Sequence, residues 1–217
     1  MKTRWHWRLV GGFSFLELLF VMAVVVILVA LCLPRLVSSP RRSIRIACMN
    51  NLKNIGLSFR QWALDHGDKL PDQVSDVNGG TIESVGTGVA YIHLLVMSNE
   101  LNTPKILLCP ADKKRFAATN WNTLRNSNLS YFVGLDITEK FPQMLLSGDD
   151  NFTINGKKPR SGLVLLSTND AAAWLPTPHD HQGNILLADG SVKGFSSTNL
   201  NAAFRSAGVA TNRLLMP

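Results

Sequence analysis

Acidic side chains are almost missing from the first third of this 217-residue chain, where Glu17 stands alone before Asp65. Cysteine is scarce as well: Cys32, Cys48 and Cys109 are the only three. No CxxC pair and no local Cys/His cluster occurs, so neither a zinc ribbon nor a haem-attachment motif is written in the sequence. A G-x-S-x-G elbow and a Cys/His nucleophile pairing are missing too, and with them the common signatures of acyl transfer. The glycines at Gly79-Gly80 lack the Lys-Ser/Thr of a phosphate loop and the strand–helix setting of a dinucleotide site. Internal repeats and low-complexity tracts are absent. The expectation is a protein that is not an enzyme.

What is present begins with an apolar run. Phe13 to Leu33 is 21 residues with Glu17 as its one charge. As a helix it would be about 31 Å long, enough to cross a bilayer. A carboxylate in such a run costs a few kcal/mol unless it is paired, so Glu17 is expected to act on a partner outside its own helix. The preceding Met1–Gly12 is short and basic (Lys2, Arg4, Arg8) and ends in Gly11-Gly12. A secretory signal would be cut after the apolar stretch, yet no A-x-A pattern follows it. A lipoprotein reading of Cys32 fails on the bulky Leu31 before it.

Basic leader, Gly12-Phe13 junction, Glu17 and the apolar span together resemble the class III signal of type IV prepilins and pseudopilins. The resemblance implies cleavage between Gly12 and Phe13 by a prepilin peptidase/methyltransferase, with methylation of the new Phe13 amine. It makes Glu17 the family's glutamate, five residues into the mature chain, and Pro34 the proline many members carry in this helix. It further implies a single-pass inner-membrane protein with a cytoplasmic N-terminus before processing and a periplasmic C-terminal domain. Its partners would be copies of itself or related subunits, bound through the N-terminal helix, and the inner-membrane assembly machinery. The function implied is a structural subunit of a type II secretion pseudopilus or a type IV pilus-like filament. Glu17 would pair with the amine of a neighbouring Phe13 and set axial register. The alternative is a membrane-tethered extracytoplasmic ligand-binding module that does not polymerise. Basic residues flank both ends of the span, so the positive-inside rule adds no support for the orientation.

The net charge is +7; loss of the leader would leave +4, three fewer. Arg35, Arg41, Arg42, Arg45 and Lys53 concentrate the excess and read as a collar facing anionic head groups or acidic groups of neighbouring subunits. Nucleic acid is not expected as a partner, because Phe59 and Trp62 nearby sit at helical spacing and read as core.

Four regions follow: leader 1–12, transmembrane and polymerisation helix 13–34, amphipathic extension 35–67, and a globular domain 68–217. Ser39-Pro40 restarts a helix, and Ile44, Cys48, Leu52, Ile55, Phe59 and Trp62 form one apolar stripe before Gly67 ends it. Asp76–Gly88 reads as an exposed loop, Val89–Leu101 as a short helix and Asn199–Ala207 as a closing helix. Strands are expected at Lys105–Cys109, Leu129–Gly134, Gln143–Leu146, Leu163–Ser167, Asn184–Ala188 and Ser191–Phe195. The last two flank Asp189-Gly190, read as a two-residue turn. The fold expected is α+β and pilin-like: a long N-terminal helix packed on a small antiparallel sheet.

His179, Asn184, Asp189 and Gly190 resemble the H-X9-DG element of a prepilin-like family abundant in planctomycetes and verrucomicrobia. The segments Cys48–Leu57 and Cys109–Asp112 resemble its other landmarks. His181 beside His179 is a departure that leaves two imidazoles competing for the key position. On the residues themselves, a hydrogen-bonded loop buttressing the hairpin accounts for the element. A divalent metal on His179 and Asp189 is the sharper reading, and calcium is its candidate because some major pseudopilins bind that ion in a C-terminal loop. Asp149-Asp150-Asn151 is a second oxygen-rich cluster, read as a hairpin loop. Cys48 and Cys109 both fall on the side expected outside the cytoplasm, where either a disulfide or two separate buried thiols are consistent with the chain.

Overall fold

The computed structural model describes the backbone of residues 14–36 and 40–217 and the side chains of 14–31 and 42–217. The expected leader, its Gly12 and Phe13 therefore lie outside the described residues. The chain divides into two compact units, Met1–Arg42 and Ser43–Pro217.

The first unit carries α1 (Phe15–Leu36). The Ser14 carbonyl accepts the amides of Glu17 and Leu18 at 3.0 and 3.1 Å, and Glu17 in the first turn complements the positive end of the helix. Every side chain from Phe15 to Leu31 is exposed. Among the described residues no helix is long and apolar enough to cross a membrane. The run expected to span, Phe13–Leu33, reaches past those described side chains at both ends.

The second unit is α+β. α2 (Pro40–Asp65) leads into it and buries Cys48, Leu52, Ile55, Phe59 and Trp62 along one face, as the three-and-four spacing requires. Gly67, in the left-handed region at φ 65°, lets the chain turn back so that the Ala63 carbonyl accepts the amides of His66 and Asp68. α3 (Ala90–Leu95) and α4 (Ser98–Leu101) follow.

Among the described residues eight strands form two sheets. β1 (Tyr131–Gly134), β2 (Leu145–Asp149), β4 (Gly162–Ser167), β6 (Gln182–Leu187), β7 (Val192–Ser196) and β8 (Thr211–Met216) make an antiparallel sheet in the order β4-β8-β1-β2-β6-β7. β3 (Phe152–Ile154) and β5 (Ala172–Trp174) pair separately. The large sheet is covered on both faces. Tyr131, Val133, Leu146, Leu186 and Leu215 join the α2 side chains in one core. Phe132, Leu145, Ile185, Leu187, Leu214 and Met216 pack on the other face with Phe152, Trp174 and α5 (Ser197–Ser206). Alternate residues of one strand thus serve opposite cores. Helix and sheet meet closely: a Cβ on Gly56 would lie 2.7 Å from the Leu186 side chain.

Four expectations change. Lys105–Cys109 is not a strand: Pro104–Leu107 is a 3₁₀ turn with proline at its start and the Thr103 hydroxyl accepting the Lys105 amide. Val89–Leu101 is two short helices rather than one. Asp76–Gly88 is not a wholly exposed loop. It contains the turns Asp76–Asn78 and Ile82–Thr87, and buries Thr81, whose hydroxyl lies 2.6 Å from His93 Nδ1. The hairpin loop holds three residues, because the Leu187 amide donates to the Ser191 carbonyl and leaves Ala188, Asp189 and Gly190 between them. Of these only Gly190, at φ 80°, is left-handed, the arrangement of a three-residue loop closed by glycine. Ala188 and Asp189 turn their amides away to the Met144 and Pro142 carbonyls.

Candidate functional site

The sequence landmarks converge on the inner end of α2. Cys48 lies in its third turn, and Cys109 follows the Pro104–Leu107 turn. The two are joined by a disulfide with Cα atoms 5.2 Å apart, and both are fully buried. Asn51, one turn after Cys48, donates to the Leu108 carbonyl at 3.1 Å and holds the segment that carries Cys109 against the helix.

His179, in the connection from β5 to β6, points at this bridge. Its Nε2 lies 3.3 Å from Cys109 Sγ and 3.5 Å from Asp149 Oδ2 at the end of β2. That carboxylate accepts the Asn184 amide at 2.7 Å and the Asn184 Nδ2 at 2.9 Å. Asn184 Oδ1 in turn accepts Arg45 Nε at 3.4 Å, and Arg45 also donates to Gln182 Oε1. The network therefore closes on itself: Arg45, Asn184, Asp149, His179 and the disulfide return to α2 three residues from where they left it. Tyr131 lies in the same interior. Burial, with the Asp149 charge, pushes its phenol well above the usual range.

Of the two competing imidazoles, His179 is the buried one. His181 is exposed and left-handed at φ 57°, its Nδ1 3.3 Å from the Trp174 carbonyl. Asp149-Asp150-Asn151 is no exposed hairpin loop. All three are buried while the chain crosses from the large sheet to β3. The Asp150 amide donates to the Ser130 carbonyl, and Asn151 accepts the Leu175 amide and donates to the Gln182 carbonyl. Burial pushes the Asp150 carboxyl up, against the opposing pull of its ion pair with Arg115.

The expected metal pair does not form. His179 precedes β6 and Asp189 follows it, so roughly 17 Å of extended strand separates them. The Asp189 oxygens are engaged locally, by the Ser191 amide at 2.8 Å and Gln143 Nε2 at 3.4 Å. Arg60 of α2 donates to the Asp189 carbonyl. Calcium asks for six to eight oxygen ligands, and neither end of β6 gathers them. Among the described residues the grouping with metal-ligand geometry is instead Cys48, Cys109 and His179, whose donor atoms lie within 4.8 Å of one another. The two cysteines are spent on the disulfide, so in this redox state the site is a covalent and hydrogen-bonded anchor.

Asp149, Arg45 and Arg60 are the site residues that sequence reading missed. In the sequence Asp149 is visible only as one of three oxygen-rich neighbours and Arg45 only as part of a basic stretch, while Arg60 is marked by nothing but its place off the apolar stripe. Glu17 belongs to the first unit, on exposed α1. No protein-family model, curated protein or solved structure matches this chain.

Proposed function

We propose that this protein is a prepilin-like structural subunit, held in the inner membrane, cleaved after Gly12 and built into a type II secretion pseudopilus or type IV pilus-like filament. The observation that carries the reading is the Phe15–Leu31 stretch of α1, apolar, exposed throughout and charged only at Glu17. Such a surface requires lipid or other apolar helices around it. Membrane insertion and helix bundling would cover it in turn. Glu17, unpaired in lipid, would meet the amine of a neighbour's Phe13 in the bundle, and a buried charge pair of this kind serves register more than stability. The disulfide and the His179–Asp149–Asn184 network stiffen the second unit for work outside the cytoplasm, where disulfides persist.

A prepilin peptidase/methyltransferase and the inner-membrane assembly machinery are the partners this reading requires. Mass spectrometry of the mature protein tests it at the first step. The expected N-terminus is Phe13, N-methylated; an intact Met1 in cells with active peptidase would refute it. A second reading, a tethered ligand-binding module, is favoured by a cleft of about 620 Å³ between the end of α2 and the Ile137–Glu139 segment, with Phe59, Leu64, Leu70 and Ala188 on its walls. In that case processing would be dispensable for ligand capture.

A further inference from the structure

The centre beside α2 has the donor set of a zinc site. Cys48 Sγ, Cys109 Sγ and His179 Nε2 lie within 4.8 Å of one another and are all buried. The Asp149 carboxylate stands 3.5 Å from the same nitrogen. Its Oδ1 is buried and has no hydrogen-bond partner among the described residues, so one carboxylate oxygen is unused in the interior. Two sulfurs, an imidazole and a carboxylate suit a tetrahedral, borderline-soft cation.

The spacings fit as well. With Zn–N and Zn–O near 2.0–2.1 Å and Zn–S near 2.3 Å, a tetrahedron has N···O edges of about 3.4 Å and N···S edges of about 3.5 Å. The structure has 3.5 Å from His179 to Asp149 and 3.3 Å from His179 to Cys109. The sulfur–sulfur edge is the one a covalent bond holds closed. Asn184, with two donors on Asp149, orients the carboxylate in the way metal-bound carboxylates are usually held.

We propose that Cys48, Cys109, His179 and Asp149 form a redox-gated zinc site, shut while the disulfide is intact and able to take one Zn²⁺ once it is reduced. A dithiol supplies two electrons and two protons: the Cys48–Cys109 bond breaks, both sulfurs become thiols, and the dithiol closes into its own disulfide. Zn²⁺ then displaces both thiol protons to solvent and bonds to the two sulfurs, His179 Nε2 and an Asp149 oxygen. The proposal is independent of the filament reading, because neither Gly12 nor Glu17 enters it.

The test uses the full chain, reduced with a phosphine that is then removed under anaerobic conditions, and titrated with Co²⁺ followed by Zn²⁺. The reduced protein is expected to bind one Co²⁺ with the visible bands and thiolate charge-transfer absorption of a two-sulfur tetrahedral site. Zn²⁺ should displace it and raise the melting temperature of the reduced form alone. The oxidised protein and Cys48→Ser should give no such spectrum. His179→Gln, which retains both cysteines and can still form the disulfide, should bind Zn²⁺ roughly tenfold or more weakly with altered cobalt bands. Any of three results would overturn the proposal: no binding by reduced wild type, an unchanged spectrum and affinity in His179→Gln, or a reduced chain that stays unfolded in excess Zn²⁺.

Discussion

Asp149 is a buried junction of the interior. Two donors of Asn184 and the imidazole of His179 converge on its Oδ2. Asp149→Ala would leave the Asn184 amide and Nδ2, both buried, without their acceptor. A loss of about 3 kcal/mol or more is expected by urea denaturation, since orphaned buried donors carry their full desolvation penalty. A loss under ~1 kcal/mol would show that the network is not the anchor described. Two other buried groups contribute to the response to acid. Burial pushes the Asp72 carboxyl from 3.8 to about 6, although it accepts the Asp136 amide. Burial also pushes His93 from 6.5 down to about 4. The Asp72 contribution to stability is complete below its unfolded value and is lost as pH rises through 6. The His93 contribution is complete above 6.5 and is lost as pH falls through 4. Between pH 4 and 6 the two slopes oppose each other, each shift amounting to about 3 kcal/mol at roughly 1.4 kcal/mol per unit. Asp72→Asn keeps an acceptor for the Asp136 amide and removes the buried charge. The variant is expected to be more stable than wild type at pH 7 by up to about 3 kcal/mol and to lose stability more steeply from pH 6.5 to 4. Parallel stability–pH curves for the two proteins would contradict these assignments.

At the scale of elements, the β6–β7 hairpin is gripped by α2 at both ends. Arg45 reaches Asn184 and Gln182 near its open end, and Arg60 reaches the Asp189 carbonyl at its turn. The two grips differ in burial. Asn184 is fully buried, whereas the Arg60 contact is exposed. Arg60→Ala is therefore expected to lose less than ~1 kcal/mol and Asn184→Ala about 2–3 kcal/mol in the same denaturation measurement. The reverse order would place the anchor at the turn. This helix was legible in the sequence because its Cys48-to-Trp62 stripe keeps a period only a helix has. β8 was not. Leu214-Leu215-Met216 is apolar throughout because the sheet is covered on both faces, and such a run lacks the alternation that marks a strand. The same ambiguity made Ile106-Leu107-Leu108 look like a strand although Pro104 begins a turn there. At the site, cysteines, histidine and the Asp-Gly loop were legible as landmarks because their chemistry is scarce. Their grouping was not, since Asp149 and Arg45 meet His179 and Asn184 only through sheet register and helix packing.

For the whole molecule, the disulfide joins positions 61 residues apart, a loop whose closure accounts for about 4 kcal/mol in the chain-entropy model. Replacing Cys48 and Cys109 together by serine is expected to remove most of that, read as a lowered urea midpoint. Two alkylatable thiols in the native, unreduced second unit would contradict the bridge itself. The central claim concerns α1 and its Glu17. Glu17→Ala makes the helix easier to place in lipid, since Ala is favoured there over a carboxylate. A plain anchor should then insert as well as before, and its function should be unchanged. A filament subunit should insert and be processed, yet fail to join its neighbours, because the partner of the Phe13 amine is gone. The deciding measurement is intersubunit cysteine crosslinking, with sheared-filament yield, for wild type and Glu17→Ala at matched membrane levels. The account predicts assembly of the wild type and loss of assembly in the variant. Equal assembly in both would contradict the register role of Glu17, and no assembly in either would contradict the filament itself.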